Sequence, residues 1–193
     1  MAYTAEDFTA SLKDKKLQFY NTLVTLLRGR SGGIRASNSE LSNTLNSGLP
    51  PGLDIVASVL ALKLVDTAGT NLSSAVAFTD GIRIYCTPLM QHMYGDNLKE
   101  LKFILCHEVL HVAFMHFARS ERIVSDGIKR ILNSEAIKQA VDSNTDIEHL
   151  ESQIRERVLT IWNYATDYAI NGTLSNENLQ NRFGISKSTK AKL

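Results

Sequence analysis

The chain has 193 residues, 44 % hydrophobic and 21 % charged, with a formal net charge of +1. That balance suits a globular domain with a sizeable core and argues against nucleic acid or an acidic membrane surface as a partner. No apolar run approaches the roughly 18 residues of a membrane span, and Met1 to Asp7 lacks the basic and apolar regions of a signal peptide. Cys86 and Cys106 are too few for a disulfide scaffold, so a reduced, cytoplasmic protein is expected.

Thr4 with Asp7, followed by Phe8, Leu12, Phe19, Leu23, Leu26 and Leu27 at helical spacing, predicts a helix from Ala5 to Arg28 that stops at Gly29. From Arg30 to Gly52 the chain is rich in Ser, Asn and Gly, which predicts a mobile loop or arm. An N-cap at Asp54 starts a short helix into Val59 and Leu60. The period then changes. Leu60 to Asp66 and Ser74 to Phe78 are apolar runs, Thr79-Asp80-Gly81 is a turn signal, and Ile82 to Thr87 alternates. These features predict a β-hairpin with Leu60 to Asp66 as a third strand. Pro88 ends the second arm, and the connection from there to Gly95 carries His92.

Asn97, with Glu100 three residues on, caps a helix predicted to run to about Arg119. Leu101, Phe103, Ile104, Leu105, Val109, Leu110 and Val112 make it apolar on nearly every face, the mark of a central buried helix. Inside it lies His107-Glu108-Val109-Leu110-His111. Residues four apart share a helical face, so both imidazoles reach one metal ion, and Glu108 stands beside them to take a proton from water. This is the H-E-x-x-H pattern of zinc metallopeptidases. An unpaired buried polar group costs about 1–3 kcal/mol, and a metal supplies the missing partner. Cys106 points to another face and reads as a buried thiol.

Residues 120 to 145 form a charged helical excursion, after which Asp146 opens a last helix to Asn171, stopped by Gly172. Residues 1–175 are expected to be a single domain, and 176–193 a polar, basic tail or the start of a linker.

A catalytic zinc usually takes three protein ligands. His116 is nearest in sequence, but an unbroken helix puts it about 140° from His111 and about 180° from His107. No glycine breaks the chain between His111 and His116. His116 is therefore a core or supporting histidine unless the helix is interrupted there. His92 and His149 have no partner spacing. Asp167 is the better third ligand: Asn163, Asp167 and Asn171 share one face of an otherwise apolar helix, like a polar strip turned toward an interior site.

Three blocks in this order resemble a known family. They are the Thr79-Asp80-Gly81 hairpin with Ile84-Tyr85 and Pro88; His107-Glu108-Val109-Leu110-His111 with His116 and Arg119; and Trp162-Asn163 through Ala165, Asp167 and Ile170-Asn171. The resemblance is to the metallopeptidase-type domain that commonly precedes a von Willebrand factor A-like domain in bacterial and phage proteins. It implies an α+β fold, a mainly helical zincin-like core with a small antiparallel hairpin or three-stranded sheet beside the active-site helix. It further implies Zn2+ held by His107, His111 and Asp167, and Glu108 as general base. The chain as given ends at Leu193, before any von Willebrand-like half, which the resemblance would supply as a neighbouring domain or partner protein.

The expected activity is hydrolysis of a peptide or protein substrate, with Tyr164 or Tyr168 as candidate oxyanion donors and the 74–87 hairpin as the strand that aligns the peptide. Asn163 and Asn171 are expected to orient Asp167 or the histidines. Two other readings compete: a zinc-stabilised binding module without turnover, and a metal-free helical interaction protein.

Overall fold

Capping residues and apolar periodicity set most element boundaries in the computed structural model, which describes residues 5–28, 49–50, 52–67, 70, 72, 74–141 and 145–176. Seven helices and three strands lie among those residues. Helix α1 spans Ala5–Arg28 and α2 Leu53–Val59; strands β1, β2 and β3 span Ala61–Leu64, Ala77–Thr79 and Arg83–Cys86. Then follow α3 (Pro88–Tyr94), α4 (Leu98–Ala113), α5 (His116–Leu132), α6 (Glu135–Ala140) and α7 (Ile147–Leu174). The architecture is α+β and mainly helical. The expected arm from 30 to 52 lies outside the described residues except for Leu49, Pro50 and Gly52, and so does the tail beyond Asn176.

Helix α4 is the axis of the molecule. Its N-terminus is held by Asn97, whose side chain accepts from the Glu100 N–H at 3.2 Å. Every residue from Leu101 to Leu110 is buried, as an apolar surface on all faces requires. Helices α1, α2, α3, α5 and α7 and both strands of the hairpin pack around it. Phe19, Leu23, Leu26 and Leu27 of α1 recur on one face and belong to this core. A second, smaller core joins Val124 and Ile128 of α5 to Ile154 of α7.

The expected hairpin forms. β2 and β3 are antiparallel, with Phe78 opposite Tyr85 and their rings stacked at 4.8 Å. Gly81 takes the positive φ of 88° that its turn requires, and Asp80 Oδ1 accepts from the Ile82 and Arg83 N–H groups. The third strand is β1, which pairs with β3 in parallel, so the sheet is mixed, in the order β1-β3-β2. Residues 65–82 give the chain enough length to return to the same end of the sheet, which parallel pairing demands. Ile84 and Cys86 of β3 point into the main core.

Several expected boundaries shift. The Pro88–Gly95 connection contains α3, because Thr87 caps it and Pro88 occupies its first turn, where a missing N–H costs nothing. Gly52, not Asp54, is the N-cap of α2, although Asp54 Oδ1 still accepts the Gly52 and Ile55 N–H groups at 2.9 Å each. The last helix runs through Gly172 to Leu174, since Leu174 is fully buried in the main core. Packing there outweighs the roughly 1 kcal/mol helical cost of glycine.

The largest departure is at residue 114. The single helix expected from Asn97 to Arg119 is two helices, bent by 59° across Phe114 and Met115. Met115 adopts the left-handed conformation, φ 54° and ψ 37°, which an L-residue other than glycine or asparagine rarely takes. No glycine or proline advertises this break.

Candidate metal centre

The cluster is assembled from two helices. His107 and His111, one turn apart on α4, bring their Nε2 atoms to 3.1 Å from each other. Asp167 on α7 places Oδ1 3.4 Å from His107 Nε2 and 3.1 Å from His111 Nε2. The three donor atoms lie within 4.8 Å of one another, so this group could hold a metal ion. His107 is only 3 % exposed and Glu108 only 5 %; both also line the cleft.

Electrostatics separate the carboxylates. Burial acts to raise the Asp167 pKa, but hydrogen bonds from His107 and His111, with the charge of both rings, outweigh it and hold the group well below the usual carboxylate range. Burial pushes Glu108 up to about 7; the charge of His111 opposes this shift and that of Asp167 adds to it. One acid is thus kept ionised beside the imidazoles while its neighbour titrates near neutrality. Such a division is characteristic of sites that use one carboxylate as a ligand and another as a base.

The break at Met115 gives His116 its place. With α5 starting afresh, His116 is buried and its Nδ1 lies 3.1 Å from His111 Nδ1. It therefore meets His111 from behind, on the nitrogen opposite to the one that faces Asp167. A ring that donates from Nδ1 presents a lone pair at Nε2, the form a metal requires. Burial, then the charges of His111 and Arg119, pull the His116 pKa down to about 4. His116 is thus neutral near pH 7 and able to accept that proton. Its ring is edge-on to Trp162 at 5.9 Å, and the Arg119 guanidinium lies 5.6 Å over the same indole.

The donor set fits a divalent cation such as zinc: two imidazoles and a carboxylate converge, and one imidazole is backed by a second histidine. Among the described residues His107 Nδ1 is buried without a hydrogen-bond partner, while its Nε2 faces Asp167 and His111.

Other expected residues fall elsewhere. Tyr164 and Tyr168 are 71 % and 83 % exposed, and neither lines the cleft. They lie on the outer face of α7, because the helical rotation that turns Asp167 inward turns them out. Asn163 lines the cleft, whereas Asn171 does not and its Oδ1 is buried without a partner. Among the described residues, neither asparagine is hydrogen-bonded to Asp167 or to a histidine. His92 and His149 are exposed, the latter paired with Gln153 at 2.9 Å. Both thiols are buried, and burial pushes each up to about 12, so they are inert.

The cluster opens into a cleft of about 440 Å³. Strand β2 forms one wall, and α7 with the first turn of α5 the other. Phe117, Leu159 and Thr166 in these walls carried no motif in the sequence, and Trp162 entered only as part of the third block of the resemblance. β2 is an edge strand. Val76 and Asp80 bond toward β3, and the ladder alternates, so the main-chain groups of Ala77 and Thr79 face the free edge.

No curated protein matches the chain, and no solved structure does. A family model described as "putative metallopeptidase domain" matches residues 54–190, a span that runs from α2 past the end of α7 and includes the whole cluster. With well over half its length inside that match, this chain belongs to the putative metallopeptidase domain family.

Proposed function

We propose that this protein is a zinc-dependent peptidase in which His107, His111 and Asp167 hold the metal and Glu108 is the general base. The observation that carries the reading is the placement of Glu108: a buried carboxylate, shifted toward neutrality, in the same cleft as a converging His/His/Asp set. When bound, zinc would supply Lewis acidity, polarising a peptide carbonyl and making water more acidic.

The protein's own groups do the rest. The Glu108 carboxylate takes the proton of the attacking water and returns it to the leaving amine. His116 Nδ1 lies 3.1 Å from His111 Nδ1, and a hydrogen bond there holds that ring with Nε2 toward Asp167. The free edge of β2 offers the N–H and C=O groups of Ala77 and Thr79 to an extended peptide, which would lie along it as a further strand. Charge developing on the carbonyl oxygen needs a donor. The hydroxyls of Thr79, Ser120 and Thr166 already donate to main-chain carbonyls, which leaves the Asn163 amide, the Trp162 indole N–H and the Ser74 hydroxyl among the neutral donors of the described lining.

Metal analysis with peptide cleavage tests the proposal. Purified protein should carry about one zinc per chain, and Glu108→Gln should retain it while cleavage falls by about 10²–10⁴-fold. A zinc content below about half an equivalent would remove the metal from the reading. A wild-type protein that holds zinc and cuts no peptide would instead be a zinc-stabilised binding module.

A further inference from the structure

The two walls of the cleft are unlike. On the β2 side it is lined by residues 74–79, of which Ser74, Ala75, Ala77 and Thr79 are small, Val76 is buried and the ring of Phe78 is stacked on Tyr85. On the helical side stand Phe117, Leu159 and Trp162. Phe117 remains 42 % exposed and Leu159 37 %. A single exposed leucine is unremarkable on a protein surface, but three large apolar side chains facing small ones across a concave site leave a space that an apolar group would fill.

Their neighbours hold these side chains beside the cluster. The Phe117 ring centroid is 6.4 Å from that of His111. The hairpin turn closes over the other side of Phe117: a Cβ built on Gly81 would lie 3.4 Å from its Cδ2. Trp162 is fixed edge-on by His116 and covered by the Arg119 guanidinium.

Charge points the same way. Among the described lining residues, the carboxylates are Glu108 and Asp167, and there is no lysine or arginine. An acidic substrate side chain would meet two carboxylates in the lining, while Arg119, over Trp162, is not itself a lining residue. A basic one would find Asp167 already engaged by two histidines and Glu108 buried. A leucine or phenylalanine side chain would cover the remaining surface of Phe117 and Leu159 and gain hydrophobic free energy in proportion.

We propose that Phe117, Leu159 and Trp162 form the side-chain subsite that sets the substrate class: an extended peptide with a large, uncharged, apolar residue beside the bond placed over His107, His111 and Asp167. This rests on the metallopeptidase reading of the cluster.

The test uses zinc-loaded Glu108→Gln protein and a series of capped, fluorescein-labelled peptides that lack tryptophan, identical but for one central residue: Leu, Phe, Asp or Lys. Anisotropy gives each Kd, and emission from Trp162, the chain's single tryptophan, reports whether binding occurs in the cleft. The Leu and Phe peptides should bind at least about tenfold more tightly than the Asp and Lys peptides, with a shift in Trp162 emission. The double variant Phe117→Ser with Leu159→Ser should bring the four affinities together, and Leu159→Lys should favour the Asp peptide. Equal affinities across the series in the unsubstituted cleft would overturn the subsite, and that comparison needs no variant in the wall to fold. A preference that survives the double variant would overturn it as well. Cleavage by the wild-type protein is read separately. Apolar-selective binding without cleavage would end the peptidase reading and leave the subsite standing, whereas cleavage indifferent to the central residue would do the reverse.

Discussion

Around α4 the protein buries Lys102, His107 and Glu108 among leucines, isoleucines and phenylalanines, whereas the core shared by α5 and α7 is closed by aliphatic side chains: Val124, Ile128 and Ile154, flanked by Leu132, Leu150 and Val158. The smaller core needs nothing beyond close approach. Gly127 permits it, since a Cβ there would lie 3.1 Å from Val158 Cγ1. In the main core each buried polar group works against stability unless it is partnered, at a cost of about 1–3 kcal/mol. Of these buried groups, His107 and Glu108 line the cleft and Lys102 does not. α5 and α7 pack on each other through one core and border α4 at the other, and the open space between them is where His116, Asp167 and the apolar wall meet. One core holds the helices in place, and the other borders the candidate metal centre.

The comparison is broken most severely by removing a ligand. Asp167→Ala should weaken zinc binding by more than about a hundredfold, beyond the 10- to 100-fold that losing a supporting partner costs, and His116→Ala should fall within that lesser range. Competition against a chelating dye measures both. If the two losses were reversed in rank, His116 would be the ligand and Asp167 the support. A smaller effect compares the cores directly. Ile104→Val in α4 and Ile128→Val in the smaller core should each cost about 0.5–1.5 kcal/mol in denaturant unfolding, with Ile104→Val the larger. Comparable losses in that experiment would mean that the two cores unfold as one equally dense unit.

The third prediction concerns pH in the metal-free protein. Glu108 titrates near 7 when folded and near 4.5 when unfolded. Between those values the folded state binds the extra proton, so this group's contribution to stability falls as pH rises and is fully adverse above about 7. His116 works in the opposite sense: its pKa drops from 6.5 to about 4 on folding, so its contribution improves as pH rises across that window. Wild-type stability alone therefore mixes two opposed slopes. The difference between Glu108→Gln and wild type isolates the first, and it should grow in favour of the variant by on the order of 1–3 kcal/mol from pH 4.5 to above 7. A flat difference would show that Glu108 is hydrated in the metal-free protein.

Much of the fold was legible in the residues. Asn97 and Glu100 mark the start of α4, and its apolar faces mark it as central. Thr79-Asp80-Gly81 marks the hairpin. Helical spacing alone puts His107 beside His111 and ties Asn163 to Asp167. What such periodicity does not say is which face of α7 turns inward, and that is why Tyr164 and Tyr168 stood as candidates while Leu159 and Trp162 did not.

The residues from Asn97 to His111 carry, by themselves, a capped, buried helix and two imidazoles and a carboxylate that need partners, because helix geometry and the cost of buried polar groups act over a single turn. Tertiary structure decided how those needs are met. The meeting of Asp167 with the histidines depends on how α7 packs against α4, a contact across more than fifty residues of chain. The arrival of His116 behind His111 depends on Met115 accepting a left-handed backbone that its own preference disfavours. Packing of α5 against α7 and the hydrogen bond at His111 Nδ1 can offset that local cost, and contacts of this kind leave no pattern in the residues on either side of the bend.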